Sequence, residues 1–205
     1  MYLKKLSFFL VFAFVCCASV TLGQAQDDTQ VDAAQYSRQL SSLDPITRRT
    51  AAESLARLAA VEQKKMVEGY LLQEKDKRVK LALNWALYRM GKGDALYAIV
   101  RDVDSNRHDQ ASDYLAQLER PEDLYFFLKQ DNTPLKTEAR LIEVLGQIGD
   151  SETLVQIKPF IDHFDPTLAN AAKTATNKIQ ERLSQTQPNG KTRPRVTGKS
   201  EPPLR

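Results

Sequence analysis

The stretch Val79-Lys-Leu-Ala-Leu-Asn-Trp-Ala-Leu-Tyr-Arg-Met-Gly91 decides the fold, because four other stretches align with it without gaps. They run from Thr47 to Ala59, Arg107 to Glu119, Thr137 to Gly149 and Leu168 to Gln180. The ninth column reads Leu55, Leu87, Leu115, Leu145 and Thr176, and the twelfth reads Leu58, Met90, Leu118, Ile148 and Ile179. The fifth reads Ala51, Leu83, Ala111, Leu141 and Ala172. Columns five, eight, nine and twelve share one face of a helix at 3.6 residues per turn, so each copy is an amphipathic helix with the same inward side.

The copies recur about every 30 residues, the length of a two-helix unit. A second apolar segment follows each of the first four: Glu62 to Gln73, Asp94 to Val103, Pro121 to Gln130 and Ser151 to Phe164. Asp44-Pro45, Asp131-Asn-Thr-Pro134 and Asp165-Pro166 have a capping side chain and a proline suited to the first turn of a first helix. Pro121 and Ser151 open second helices in the same way, and Gly91, Gly93 and Gly149 fall where a hairpin must turn. One such hairpin cannot bury its own apolar face, so neighbours must cover both sides. The fold expected is all-α, a right-handed α-solenoid of about five helical hairpins over 44–185. A capping helix lies within 26–43, with Val31, Ala34, Gln35, Leu40 and Leu43 turned inward. The last copy, with Thr176 in the leucine column and Asn170 and Asn177 nearby, suits a terminal cap facing water.

The ends read differently. Lys4 and Lys5 precede an apolar run from Leu6 to Leu22, and Gly23-Gln24-Ala25 supplies small residues at a cleavage site. That is the pattern of a secretory signal peptide over 1–25, cut after Ala25. The alternative is a retained anchor, since the run approaches bilayer-spanning length. The expected localisation is therefore periplasmic or secreted. Cys16 and Cys17 both lie in the leader, and Phe14 and Val15 before Cys16 are too large for a lipoprotein signal. Once the leader is cut, the chain holds no thiol for a disulfide, a metal or nucleophilic catalysis. Residues 186–205 are polar, proline-rich and basic, the composition of a disordered tail. The leader and tail hold more cationic than acidic residues. The net +3 therefore comes from the ends, and the part between is slightly acidic. A basic stripe able to neutralise a run of phosphates is missing there, so no nucleic acid is expected as partner.

Val79-Lys80, Ala86-Leu87 and Met90-Gly91, together with Leu145-Gly146-Gln147-Ile148-Gly149-Asp150, carry a resemblance to a known family. The block from about Asp44 to Leu183 resembles the HEAT-like repeats first described in phycobilisome lyases. Their motif opens on Val-Arg, passes through an Ala-rich middle and an Ala-Leu pair, and closes on Leu-Gly-Asp. The first copy matches at Arg48, Ala51-Ala52, Leu55 and Leu58. The third departs most, opening on Arg107-His108 and closing on Leu118-Glu119, and a distorted hairpin is expected there. The resemblance implies a scaffold or adaptor. A pigment-lyase role fits poorly, because those enzymes work inside the cell and an export signal sends this chain elsewhere.

Motifs for chemistry are missing from the sequence. There is no Gly-rich phosphate loop, no His-Glu-x-x-His and no Gly-x-Ser-x-Gly. His108 and His163 stand on different copies, and neither forms the His-Glu pair of the iron-binding HEAT-like hydroxylases. Asp102-Val-Asp104-Ser-Asn106 lacks the Gly and the distal Glu of a calcium loop. No enzyme activity, cofactor or metal is expected, and the partner should be another protein or peptide.

Two sets of residues are candidates for contacting that partner. Columns three and seven lie opposite the core face and should see water, yet the second copy puts Leu81 and Trp85 there, with Tyr88 one turn on. Trp and Tyr dominate binding hot spots, so this stripe is one candidate. Burial under the N-terminal segment or by an irregular repeat angle is the competing explanation. Second helices usually line the concave face, where Tyr70, Tyr97, Arg101, Tyr125 and Lys129 remain after the core set Val67, Leu71, Ile99, Val103, Leu124, Phe127, Leu128, Ile157 and Ile161 is assigned. The function expected is a non-catalytic protein-binding adaptor or scaffold of the cell envelope or secreted space. The alternatives are an accessory subunit of an envelope enzyme complex and weak association of the tail with an anionic envelope surface.

Overall fold

The computed structural model describes residues 31–130 and 132–186. The expected leader and the tail beyond Thr186 lie outside them, as does Asp131 with its expected capping role. Among the described residues all regular structure is helical. Helix α1 spans residues 31–39. It is followed by α2 (Pro45–Leu58), α3 (Lys64–Gln73), α4 (Lys77–Arg89), α5 (Ala95–Asp102) and α6 (His108–Leu115). Then come α7 (Glu122–Leu128), α8 (Leu135–Ile148), α9 (Ser151–Ile157) and α10 (Pro166–Thr186), with short 3-10 turns leading into α3 and out of α9.

The even-numbered helices from α2 to α10 are the five aligned copies, and they pack in chain order: α2 on α4, α4 on α6, α6 on α8 and α8 on α10. The recurring columns form the seam. All residues of columns five and eight are buried, as are Leu55, Leu87, Leu115 and Leu145 of column nine, while Thr176 is half-buried. Of the core set expected on the second helices, Leu71 and Ile161 are half-buried and the other seven are buried.

Capping aspartates fix the helix starts by accepting the orphan N–H groups of the first turn. Asp44 accepts from Ile46 and Thr47, Asp76 from Arg78 and Val79, and Asp165 from Thr167 and Leu168. Asp150 and Thr153 form a reciprocal capping box on α9. The start of α8 differs from expectation. Pro134 is the extended residue before the helix rather than its first turn, and the Thr133 hydroxyl turns back to donate to the Phe127 carbonyl.

Helix α1 also differs in phase. Ala33, Ser37 and Leu40 face the core at intervals of four and three, whereas Val31, Ala34, Gln35 and Leu43 are exposed. The Ser37 hydroxyl bonds back to the Ala33 carbonyl at 2.8 Å, so a polar residue occupies an inward position at no hydrogen-bonding cost. Hydropathy alone misplaces that face.

Candidate functional site

The Leu81–Trp85–Tyr88 stripe is not a free surface. Leu81 and Trp85 are buried at 1% and 3% exposure, and Tyr88 is half-buried. The first helix of the next copy, α6, packs against Trp85. The Trp85 ring stacks on Tyr114 of α6, with centroids 5.5 Å apart and planes within 6°, and on Tyr88 at 5.7 Å. The Tyr114 hydroxyl donates to Glu53 of α2 at 2.6 Å, and the Tyr88 hydroxyl donates to Asp123 in the first turn of α7 at the same distance. Burial, and then the neighbouring carboxylate, raises both phenols well above the ordinary tyrosine value. Exposure was one reading, because columns three and seven point away from the seam in an evenly spaced stack; burial was the other, and it holds for Leu81 and Trp85, with Tyr114 of α6 against the Trp85 ring.

The Glu53–Tyr114 bond also joins α2 to α6, two copies apart, past α4.

The second-helix candidates separate into groups. Tyr125 is buried, with its hydroxyl 2.7 Å from Thr153 Oγ1, and Tyr70 is half-buried against the core. Both pack against the core between helices, and the Tyr125 hydroxyl finds its partner there. Lys129 is exposed at the end of α7 but lines neither of the clefts described next. Tyr97 and Arg101 stand exposed on α5.

Tyr97 is where the structure gathers a surface. Its ring meets Phe127 edge-on at 5.0 Å and Phe126 at 6.1 Å, and the two phenylalanines contact each other at 5.6 Å. Phe127 is buried, while Tyr97 and Phe126 are 52% and 53% exposed. This ridge bridges α5 and α7 and separates two clefts. One, of about 540 Å³, runs past Tyr88, Arg89, Leu96, Leu118 and Asp123. The other, of about 620 Å³, runs past Val100, Arg101, Asp104, Pro134 and Thr137. Tyr97 and Phe127 line both. Ion pairs mark the rims: Arg89 with Glu119 at 3.0 Å, Arg120 with Asp123 at 2.9 Å and Lys136 with Asp104 at 2.5 Å. Aromatic edges beside half-open clefts, with fixed charges at the rim, suit the apolar side chains of an extended peptide.

Tyr88, Tyr97 and Arg101 are thus brought to one surface, and Phe126 joins them although sequence reasoning passed it over. A signal was present. Tyr125, Phe126 and Phe127 are consecutive on a helix, so at 100° per residue they sweep 200°, more than a single buried stripe accommodates. One of the three has to face water.

Groups suited to chemistry are engaged elsewhere. His108 Nδ1 lies 2.8 Å from Asp109, and His163 Nδ1 accepts the Asp165 N–H at 3.1 Å. Asp102 clamps Arg107 through two bonds of 2.8 and 2.9 Å, which closes the turn into α6. Among the described residues no group of three or more His, Cys, Asp or Glu side chains is placed to hold a metal ion. No described helix is long and apolar enough to cross a membrane.

No protein-family model matches this chain, and no curated protein matches it either. The crystal structure of an engineered protein is similar over 71% of this chain and 78% of its own, with 17% identity and a TM-score of 0.31, a likeness too loose to bear on function.

Proposed function

We propose that this chain is an exported α-solenoid of HEAT-like repeats that works as a non-catalytic adaptor, holding an extended segment of another protein against the Tyr97–Phe126–Phe127 ridge. One observation carries the reading: aromatic rings from two successive second helices project, half exposed, between two open clefts. Removing apolar ring surface from water gains about 25 cal/mol per Å². Leaving large rings half exposed forgoes that gain, which is ordinary for a scattered residue and informative for a contiguous ridge. Aromatic anchors seated beside pockets commonly contribute 2 kcal/mol or more each to binding.

The test is site-directed photocrosslinking in the producing cell. A photoreactive phenylalanine analogue at position 126 should give one discrete adduct with a second protein, and Tyr97→Ala should abolish it. The same analogue at Val155, exposed on α9, serves as the control and should give none. Equal labelling from both positions, or adduct formation indifferent to Tyr97→Ala, contradicts the adaptor reading. Export is checked by N-terminal sequencing of the envelope form, which should begin at Gln26.

A further inference from the structure

A second feature, which shares Ala98 and Arg101 with one of the clefts beside the aromatic ridge, concerns charge. The described part of the chain carries nearly equal numbers of cationic and acidic residues, yet they are unevenly placed. A cleft of about 360 Å³ at the α4–α5 hairpin is lined by Lys75, Lys77, Lys80, Arg101 and Arg107 over a floor of Leu81 and Ala98. Its carboxylate, Asp102, is already held by both ends of Arg107. The neighbouring acids are committed too: Glu74 to Arg48 by a bidentate pair at 2.7 and 3.0 Å, and Asp76 to the first N–H groups of α4. Among the described residues, Lys75, Lys77, Lys80 and Arg101 form no ion pair. Four cationic side chains therefore line one small concavity whose carboxylate, Asp102, is already paired with a fifth, Arg107.

This arrangement is costly without an anion. Like charges held near one another repel, and walls of protein focus their field into the cleft. Lys77 and Lys80 also lie in the first turn of α4, where cations oppose the helix dipole and only the N-cap Asp76 supplies negative charge. A multiply charged oxyanion relieves both penalties and accepts hydrogen bonds from ammonium and guanidinium groups. Four converging cations match two adjacent tetrahedral groups better than a single carboxylate. The compact outline excludes a long phosphate run, which needs an extended stripe.

We propose that this cleft binds a small multivalent oxyanion, phosphoryl or sulfate, carried either free or as the head of an anionic lipid.

The experiment titrates pyrophosphate into the exported full chain at low ionic strength, read by calorimetry. Parallel titrations use Lys80→Gln/Arg101→Gln and the charge-matched tail variant Arg193→Gln/Arg195→Gln, after each is shown to melt like the parent without ligand. One-to-one binding is expected, weakened at least tenfold by the cleft pair and unchanged by the tail pair. Absence of binding to the parent overturns the proposal, as does equal weakening by both pairs. Sedimentation with phosphatidic acid–phosphatidylcholine vesicles, whose phosphomonoester heads are multivalent, identifies the source. Pelleting that pyrophosphate competes away and the cleft pair abolishes assigns a lipid head, whereas no pelleting alongside pyrophosphate binding assigns a free anion. Pelleting that pyrophosphate leaves intact also counts against the site.

Discussion

Ala59 ends α2 in the left-handed region at φ 47° and ψ 45°, a conformation that suits glycine and crowds a Cβ. Ala59→Gly should therefore raise stability by about 0.5–1 kcal/mol, seen as a higher urea midpoint, although the same exchange inside a helix would lower it. Trp85 poses the reverse case. As the chain's single tryptophan, stacked between Tyr88 and Tyr114, it should fluoresce at a short wavelength and shift red on unfolding. Trp85→Ala should cost about 3–5 kcal/mol, while Tyr97→Ala on the exposed ridge should stay within about 0.5 kcal/mol. Comparable melts for the two variants would show that the stack is not a core. Tyr114 makes stability depend on pH. Its phenol keeps its proton to higher pH in the folded than in the unfolded chain, chiefly through burial and then through Glu53. The sign follows: this stabilisation is intact below the unfolded value near pH 10 and declines as pH rises beyond it. Tyr114→Phe should flatten the alkaline fall in urea midpoint between about pH 9 and 11. The copies reveal the inward columns because a buried leucine recurs wherever the same neighbours recur. Trp85 escaped that rule because its environment depends on α6, whose approach to α4 no single copy encodes.

Element boundaries were legible where a side chain does the stopping and starting. Asp44 with Pro45 and Asp165 with Pro166 announce their helices, since each aspartate satisfies orphan N–H groups and each proline needs no partner for its missing one. For α9 the cap is Asp150, one residue before the Ser151 that the sequence reading named, and since the helix is only seven residues long this cap is a large share of what holds it. Asp150→Ala should lower stability by about 1 kcal/mol and loosen the α9 amides first. Helix α6 has no side-chain cap and spans eight residues, in keeping with the poor match of the third copy to its fellows. Other element contacts leave no mark in local sequence. Arg182 of α10 reaches back to donate to the carbonyls of Gly146, Gln147 and Gly149 at the end of α8, a cap supplied from the next copy. Gly146 is needed where these helices touch, because an added Cβ would fall 2.8 Å from the Ala175 backbone. Gly146→Val should force α8 and α10 apart and cost about 1–3 kcal/mol by overpacking. An unchanged melt would mean the close approach is not maintained in solution.

Residue size in column eight carries these local facts to the whole molecule. Ser54 and Ala86 are small, and α2 packs intimately on α4; Ala175 rests on Gly146, and α8 packs intimately on α10. Tyr114 occupies the same column in α6, whose backbone touches α4 and α8 only sparsely. A tyrosine in place of an alanine holds the backbones apart, and long side chains then span the gap: Trp85 on Tyr114, Tyr114 to Glu53, Gln110 to the Arg78 carbonyl and Arg89 to Glu119. All-α class and the order of helices were therefore legible from the repeat, whereas the uneven spacing, and with it the ridge that α7 offers to α5, arises between copies. In a stack held mainly by contacts between neighbouring units, with the Glu53–Tyr114 bond reaching one copy further, stability is close to a sum of interface terms, and the weakest interface opens first. Native-state hydrogen exchange at neutral pH should find α6 amides opening at lower free energy than those of α4 and α8, which hold the closely packed faces. Tyr114→Ala removes the prop and the bond to Glu53 together, and it should lower α6 protection further while leaving α8 and α10 near their original values. Protection in α6 equal to that in α4, or a uniform loss across all helices in the variant, would mean that the molecule opens only as one cooperative unit and that the third copy is no weaker than its neighbours.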